Sequence, residues 1–416
     1  MLFAGFSSVD ITPTKTYPMA GFDLRKDPNV GVHDRLFAKA VVLSNGSSAC
    51  AFCTLDLLGV PQDIARDISR SFSARIGIPE SALQVSAIHT HAAPSAIFKS
   101  AACFDEDYRR FVVDSAVEAV ARAYQSRAEV DARYAHTSVV GVASYRDRAR
   151  DDSACEMPID TLWLKSKKDN RSILLSTFAC HPTVLNESNK FVTRDLVFGC
   201  EKRLAESIPD ADFIFVNGAC ADLSTRYTRR ASSFDEVDRL GALWADALVA
   251  SLDSSESLSD EIAFSKQVLF VPPANFFTDE QRIEILKYLE EKINSCTDFE
   301  QRREYVSCRS VLKRESYGKG RGCDATLAVV KLGNLVLCLI PFEYAQVDAA
   351  RLKSALDLKF GITSIVCCYS NGYEGYLPSG RPLDRDSGYE DVASTFRHDA
   401  KELVADAVEK LVYLVK

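Results

Sequence analysis

This 416-residue chain has no long apolar run and no excess of positive charge, and it contains few histidines. No segment approaches the roughly 20 consecutive apolar residues of a membrane-spanning helix, so we expect no stable membrane association. Lysine and arginine number 50 against 58 acidic residues, which gives a formal net charge of −8. This balance argues against nucleic acid as a partner, because proteins that bind nucleic acid usually carry a basic stripe.

The chain is rich in cysteine, with 13 residues, an odd number. They are scattered through apolar segments, as at Cys53, Cys180 and Cys338, which indicates buried reduced thiols. The start, Met1–Phe6, is too short and lacks the charged residues of a secretory signal. Both features predict a cytoplasmic location. No motif specifies an oligomeric state.

Apolar strands that end in polar residues alternate with amphipathic helices along the chain, which predicts the α/β class. With 47% hydrophobic and 26% charged residues, the chain is able to bury a large core. We expect a large mixed sheet with flanking helices and a functional site at the carboxyl ends of the strands. One domain would span residues 1–416. Because Ser251–Asp260 is rich in serine and acids, it could divide that domain into two lobes, residues 1–255 and 256–416.

Two of the 6 histidines lie within three consecutive residues, His89-Thr90-His91. This segment follows the predicted strand 83–88. In an extended backbone, residues i and i+2 point to the same face, so both imidazoles would leave the strand side by side. Such a pair supplies two metal ligands, or one ligand and one proton donor. The alternative is an exposed loop pair without a partner.

Other polar side chains also follow predicted apolar strands. In α/β sheets, ligands bind beyond the carboxyl ends of the strands, where residues distant in sequence converge. Polar residues are common there in any case, because these loops meet solvent. Solvent exposure explains one polar loop well, but it explains less well why imidazole, carboxylate and phenol groups all occur at strand ends. The set consists of His89, His181, the Asp222/Ser224 loop, Glu343 and Tyr376.

Two imidazoles and one carboxylate are the usual protein ligands of a catalytic zinc with an open position. Water bound there loses its proton near pH 7 and attacks a carbonyl group, and a second histidine is able to protonate the leaving group. The sequence has no H-E-x-x-H helix, and His91 is not followed by the rest of an H-x-H-x-D-H motif. Both absences disfavour two common classes of metal hydrolase.

Several further polar residues remain open to more than one interpretation. Ser224 could be a nucleophile, but this needs a histidine and an aspartate in space, and no G-x-S-x-G motif is present. Asp222 could orient a ligating imidazole or make a local turn bond. Arg146 and Arg148 could bind a carboxylate or an oxyanion, or form a solvated charge cluster.

Taken in order, short motifs along the chain resemble the catalytic domain of the neutral/alkaline non-lysosomal ceramidase family. The resemblance runs from Val9 to about Tyr389. Residues 85–94, with His89-Thr90-His91 and Pro94, are similar to the zinc-binding H-T-H-S-G-P segment of the family. The other matching segments are residues 9–13, 19–22, 31–40, 178–183, 217–226, 341–343 and 371–376.

The resemblance implies hydrolysis of an N-acyl amide by zinc-activated water, without an acyl-enzyme. It implies one zinc ion per chain. By that resemblance His91 is the proton donor or oxyanion partner, Ser224 lies near the metal-bound water, and Arg146 contacts the substrate, with Arg148 as an alternative register. The positions that match the zinc ligands are His89, His181, Glu343 and Tyr376.

The chain departs from the family pattern beside several of these residues. Ala92-Ala93 replaces Ser-Gly, Ala221 replaces a glycine, and Phe342 replaces the glycine before Glu343, which we expect to narrow the pocket. The immunoglobulin-like C-terminal domain of secreted ceramidases is not matched. We therefore expect a small soluble acyl substrate rather than ceramide. Alternatives are a zinc esterase, lactonase or acyl transferase on the same scaffold, or an inactive metal-binding protein.

Overall fold

A computed structural model of the chain describes residues 1–22, 25, 27–146, 155–274, 276–318, 320–380 and 383–416. Its strands are β1 Leu2–Asp10, β2 Gly31–Val32, β3 Phe37–Ser44, β4 Ala49–Leu55, β5 Leu83–Ala87, β6 Ala128–Val139, β7 Ser144–Tyr145, β8 Met157–Ser166, β9 Ser172–Phe178, β10 Phe191–Val192, β11 Ala211–Asn217, β12 Leu223–Ser224, β13 Glu256–Ser257, β14 Ile262–Val271, β15 Cys323–Leu332, β16 Leu335–Leu339 and β17 Thr363–Cys367.

The helices surround these strands. They are α1 Gln62–Ile76, α2 Glu106–Gln125, α3 Leu196–Ser207, α4 Phe234–Ser251, α5 Asp279–Ser295, α6 Phe299–Leu312, α7 Gln346–Phe360, α8 Tyr389–Ala393 and α9 Ala400–Val415. Short 3₁₀ turns cover Glu80–Ala82 and Leu252–Ser254. In the described parts of the chain, no helix combines the length and the apolar character needed to cross a bilayer.

A large mixed sheet carries the first half of the fold, in the strand order β11-β9-β8-β6-β1-β3-β4-β5, with β13 paired to β6. The pairs β4–β5 and β9–β11 are parallel, and the other neighbours are antiparallel. A smaller sheet follows in the order β14-β15-β16-β17, with β16 and β17 parallel. The two strands of each parallel pair end on the same side of the sheet, so the segments that follow them leave the sheet close together. The site residues were expected in these segments.

The two sheets pack face to face, and helices cover their outer faces. Alternate residues of β3 show this arrangement, because Val41 and Leu43 pack with Val330 and Leu337 of the small sheet, whereas the intervening side chains face the helices. Helices α1–α4 lie on the large sheet, and α7 and α9 lie on the small one. The result is a four-layer fold. Its large mixed sheet and flanking helices confirm the predicted α/β class, whereas the second stacked sheet was not predicted.

The large sheet curls, so that its two edge strands β5 and β11 come into contact. Asn217, at the end of β11, holds this junction together. Its amide nitrogen donates to the carbonyl oxygens of Ile88 at 3.1 Å and Cys180 at 3.2 Å, and its own carbonyl accepts from Cys368 at 2.9 Å. The carboxyl ends of β5, β9, β11 and β17 therefore meet at one fully buried residue, whose side chain binds the first two and whose backbone carbonyl binds the last.

Three local features complete the fold. The hairpin β15–β16 turns through Gly333, whose φ is +58°. The last two helices, α8 and α9, are separated by a non-helical segment. The segment Ser251–Asp260 contains β13, which pairs with β6, and the division into two lobes stays a prediction.

Candidate metal centre

His89 lies in a loop two residues beyond β5 rather than in the strand. Its φ is +68°, a left-handed conformation that is uncommon for residues other than glycine. The reasoning that an extended H-x-H segment places both side chains on one face is therefore wrong here. Instead, the His89 backbone N–H donates to Leu57 at 3.0 Å, and Nδ1–H donates to the carbonyl oxygen of Leu58 at 2.8 Å.

His181 lies three residues beyond β9 and is fixed by the segment that leads into β12. Its Nδ1 lies 2.7 Å from the carbonyl oxygen of Cys220 and 2.9 Å from that of Leu223. The backbone of His181 also bridges to Ser224. The ring is fully buried, and as in His89 the atom that faces the backbone is Nδ1.

Glu343 and Tyr376 are brought together by backbone pairing beyond the parallel strands β16 and β17. The N–H of Glu343 donates to Gly375 at 2.9 Å, and the N–H of Leu377 donates to the carbonyl oxygen of Glu343 at 3.0 Å. This parallel bridge joins Glu343 directly to Tyr376. The Tyr376 hydroxyl lies 3.5 Å from Nε2 of His181.

Two tyrosines that the sequence analysis did not single out contact the Glu343 carboxylate. The Tyr373 hydroxyl donates to Oε1 at 2.8 Å, and the Tyr369 hydroxyl lies 3.5 Å from Oε2. Tyr369 also stacks on the His89 ring, with a centroid separation of 4.1 Å. The available signal was the recurrence of tyrosine at 369, 373 and 376 in one segment beyond a strand.

The atoms of His89, His181 and Glu343 that remain free of backbone bonds converge. Nε2 of His181 lies 3.1 Å from Oε2 of Glu343, and Nε2 of His89 lies 3.5 Å from the same oxygen. A carbonyl oxygen only accepts, so each Nδ1 carries the hydrogen, and in a neutral ring Nε2 is then also an acceptor. Acceptors that face one another without a hydrogen need a cation between them, and this donor set suits zinc.

The charge states agree with that interpretation. Burial, aided by the positive charge of Arg146, lowers the pKa of His181 to about 3, so this ring is neutral at pH 7 and offers a lone pair. The pKa of Glu343 lies well below its usual range, although burial alone would raise it. The carboxyl group is therefore ionised, as a metal ligand must be.

His91 differs from the other two histidines in how its ring is held. Its Nε2 lies 3.3 Å from Nε2 of His89, but its Nδ1 has no hydrogen-bond partner among the described residues. Gly21 makes room for the ring, because a Cβ at position 21 would lie 2.4 Å from the Cγ of His91. Ligand nitrogens of His89, His91 and His181 all lie within 4.8 Å of one another, so a three-histidine set is a second possible ligand set.

Arg146 reaches the same group of residues from β7. Its Nη1 donates to the Tyr376 hydroxyl at 3.3 Å and to Oε1 of Glu390 at 3.0 Å. Burial would lower the pKa of Arg146, yet Tyr376 and Glu390 hold it well above its ordinary value. The guanidinium is thus a fixed cation beside the cluster. Arg148, the alternative register, lies outside the described residues.

Ser224 makes a local hydrogen bond, whereas Asp222 joins distant parts of the chain. The Ser224 side chain is buried, and its hydroxyl accepts the N–H of Arg226 at 3.3 Å. The Asp222 carboxylate accepts the first N–H of α7, from Gln346, at 2.7 Å, and the Asp222 carbonyl accepts from Arg146 at 2.8 Å. Asp222 thus fixes the start of α7, and a backbone bridge places Ser224 beside His181.

A cavity of about 780 Å³ opens beside Arg146. It lies between the helices α5 and α6, the start of α7 and the segment 377–391, and the histidines are not among its described lining residues. Its wall is strongly charged. The charged lining residues are Arg146, Asp222, Glu304, Asp348, Arg351, Asp384, Arg385, Asp386, Glu390, Asp391 and Lys401.

Phe342 does not narrow this cavity. The side chain is fully buried and packs edge-to-face on Phe396, with ring centroids 5.3 Å apart. The expectation of a narrowed pocket is wrong because the residue before Glu343 points into the hydrophobic core. A phenylalanine in place of glycine at this position therefore leaves the candidate ligands in contact.

The family to which these residues point is supported by comparison with family models. The model described as "Neutral/alkaline non-lysosomal ceramidase, N-terminal" matches residues 3–210, which is half of the chain. The chain therefore belongs to this hydrolase family. The matched region contains His89, His91, Arg146 and His181, whereas Glu343 and Tyr376 lie beyond it.

Solved structures show the same fold. Neutral ceramidase from Pseudomonas aeruginosa matches with a TM-score of 0.80 at 16% identity, over 99% of this chain and 74% of that chain. A ceramidase complexed with C2 matches with a TM-score of 0.77 at 15% identity, again over 99% and 74%. These likenesses confirm the predicted fold class. Comparison with curated proteins gives no match.

Proposed function

We propose that the protein is a zinc-dependent hydrolase that cleaves the N-acyl amide bond of a small soluble substrate. One zinc ion per chain would be held by the four residues named from the sequence. The observation that carries the proposal is the convergence of acceptor atoms from three distant segments at 3.1–3.5 Å. The proposed ligands are His89, His181, Glu343 and Tyr376.

A bound zinc ion would act as a Lewis acid on the acyl carbonyl and would lower the pKa of a water molecule at its open position. The protein's own contribution starts with His91. Its Nε2 is 3.3 Å from Nε2 of His89, close enough to hold a proton beside the reacting group and pass it to the leaving amine. No backbone bond at Nδ1 fixes the tautomer of this ring among the described residues.

Arg146 is assigned to substrate binding. Its guanidinium joins the cluster to the cavity, because it donates to Tyr376 and lines the cavity wall. A buried cation there would orient a carbonyl or carboxylate oxygen of the substrate. Ser224, beside the His181 backbone, is assigned a place next to the reacting water, without a covalent intermediate.

The cavity wall supports a small polar substrate. Seven carboxylates and four cationic side chains line it. A long alkyl chain would displace water from these charged groups without replacing their hydrogen bonds, which would cost several kcal/mol of binding free energy. A volume of about 780 Å³ lies in the usual range for small-molecule sites. We therefore infer a soluble N-acyl compound rather than a long-chain lipid.

Metal analysis combined with a matched substrate panel tests the proposal. We expect about one zinc per chain, loss of hydrolysis on chelation and recovery on adding zinc. Short N-acyl amides should be turned over faster than the corresponding esters, lactones or ceramide. Absence of stoichiometric zinc in the purified protein would contradict the proposal.

The same panel separates the alternatives. Turnover of esters or lactones alone would identify an esterase or lactonase on this scaffold, and acyl transfer to an added amine would identify a transferase. Bound zinc without turnover of any acyl compound would identify a metal-binding protein with a decayed site. Each outcome is read with the same preparation of protein.

A further inference from the structure

A second cavity, of about 360 Å³, lies where helix α1 meets the small sheet. Gln62, the first residue of α1, forms part of the wall and donates to the Thr326 hydroxyl of β15 at 2.9 Å. Asn371 forms another part, and its amide nitrogen donates to Gln84 at 2.9 Å. Hydrogen bonds between separate segments thus fix the shape of this cavity.

Three cationic side chains line this cavity. Arg66 and Arg70 lie four residues apart on α1, on one face of the helix, and Lys266 comes from β14. Glu80 is the only carboxylate among the described lining residues. The lining therefore carries a formal charge of +2 (three cations and one anion), in a protein whose net charge is −8.

The two arginines have no ion-pair partner in the described structure. Nearby carboxylates are already used elsewhere. Asp63 pairs with Lys99 at 2.7 Å and with Arg109 at 3.2 Å, and Asp67 pairs with Arg109 at 2.8 Å. The aspartates of helix α1 thus pair with Lys99 and Arg109, and both arginine side chains are left at the cavity.

Lys266 is half-buried and its ammonium group meets only neutral oxygens at bonding distance. Its Nζ donates to the carbonyl oxygen of Leu83 at 2.6 Å and to that of Glu80 at 3.5 Å. Burial lowers the pKa of Lys266 to about 8, with a small opposing effect of the Glu80 charge. An anion in the cavity would supply the missing counter-charge.

We propose that this cavity is a binding site for a phosphate group, either free phosphate or a small phosphate monoester, separate from the metal centre. Two guanidinium groups and one ammonium group are the donors that recognise phosphate oxygens. The charge of +2 balances a phosphate dianion. A volume of about 360 Å³ exceeds the need of a bare ion and leaves room for a small organic group.

Isothermal titration of the full chain with inorganic phosphate and with glycerol 3-phosphate tests the proposal. The double variant Arg66→Gln/Arg70→Gln should weaken binding of both probes by at least about tenfold, because charge-assisted hydrogen bonds are lost. Tighter binding of glycerol 3-phosphate would favour a monoester, and equal affinity would favour free phosphate. Both arginines are exposed, so this variant should fold.

Three comparisons control the measurement. Arg110→Gln, an exposed arginine on α2, should bind phosphate like the unchanged protein. His91→Gln should also leave phosphate affinity unchanged, which separates this site from the metal centre. Lys266→Met should weaken binding in the same direction as the arginine pair. The absence of saturable phosphate binding, or equal affinity in the double variant, would overturn the proposal.

Discussion

Histidines occupy two contrasting environments in this protein. At the centre, His89 and His181 are almost fully buried, and each directs Nδ1 to a backbone carbonyl oxygen at 2.7–2.9 Å. At the periphery, His33 and His136 are 32% and 51% exposed and direct Nδ1 to a carboxylate, at 3.0 Å and 2.7 Å.

The partner of Nδ1 determines what the opposite nitrogen is able to do. A carbonyl partner fixes the hydrogen on Nδ1 and leaves Nε2 as an acceptor with its lone pair directed away. At an exposed site, a carboxylate partner stabilises the positive charge of the doubly protonated ring. Interaction with Asp160 accordingly raises the pKa of His136, while burial lowers that of His181. One residue type therefore gives a candidate metal ligand in one region and a surface ion pair in the other.

The largest effect should follow from removing a central ring. His181→Ala should eliminate bound zinc and reduce turnover by more than about 100-fold, beyond the loss typical of an outer-shell partner. His33→Ala is the matched control, since that ring stacks on Phe234 with centroids 3.6 Å apart, and it should keep about one zinc per chain. Metal content measured by mass spectrometry decides between them. Zinc retained in His181→Ala would show that the ion is bound elsewhere.

His91→Gln should separate metal binding from catalysis. Because His91 is assigned to proton transfer rather than ligation, zinc content should be unchanged while kcat falls by about 10²–10⁴. Metal analysis and steady-state kinetics on the same sample provide the measurement. Loss of zinc together with activity would instead favour the ligand set formed by His89, His91 and His181.

Gly59→Ala tests how tightly the central region is packed. A Cβ at position 59 would lie 2.3 Å from the Cγ of Tyr373, whose hydroxyl donates to Glu343. Displacing this partner should lower metal affinity or activity by about 10–100-fold, and Tyr373→Phe should act in the same direction.

Gly46→Ala is the control for backbone strain without a clash. Its added Cβ would meet nothing within 4 Å, although its φ is +91°. We expect a modest loss of thermal stability with unchanged zinc affinity. A loss of affinity equal to that of Gly59→Ala would show that general destabilisation, and not the Tyr373 contact, governs the site.

The contrast between the two regions also explains what the sequence could predict. His89, His181, Glu343 and Tyr376 each follow a strongly apolar strand, so their positions beyond strand ends were readable and the structure brings them together. The groups that orient the rings were not readable, because they are backbone carbonyls with no side-chain signature. The left-handed φ of His89 was missed for the same reason, since this residue is held by the carbonyl oxygens of Leu57 and Leu58 in the loop beyond β4.

The smallest effect concerns the peripheral pair of His136 and Asp160. Hydrogen bonding to Asp160 raises the folded-state pKa of His136 above its ordinary value. The stabilisation is therefore fully present below the unfolded-state pKa of about 6.5 and is lost as the pH rises through the folded-state value. His136→Gln removes it, so the unfolding free energies of variant and unchanged protein should differ most near pH 5.5 and converge by about pH 9.

Because the His136 side chain is 51% exposed, solvent screening should keep the difference below about 1 kcal/mol. Urea titrations across this pH range measure the difference, and 1 M salt should reduce it further. A difference that grows with pH would show that the fold favours the neutral imidazole of His136 and that the contrast with the central histidines lies in burial alone.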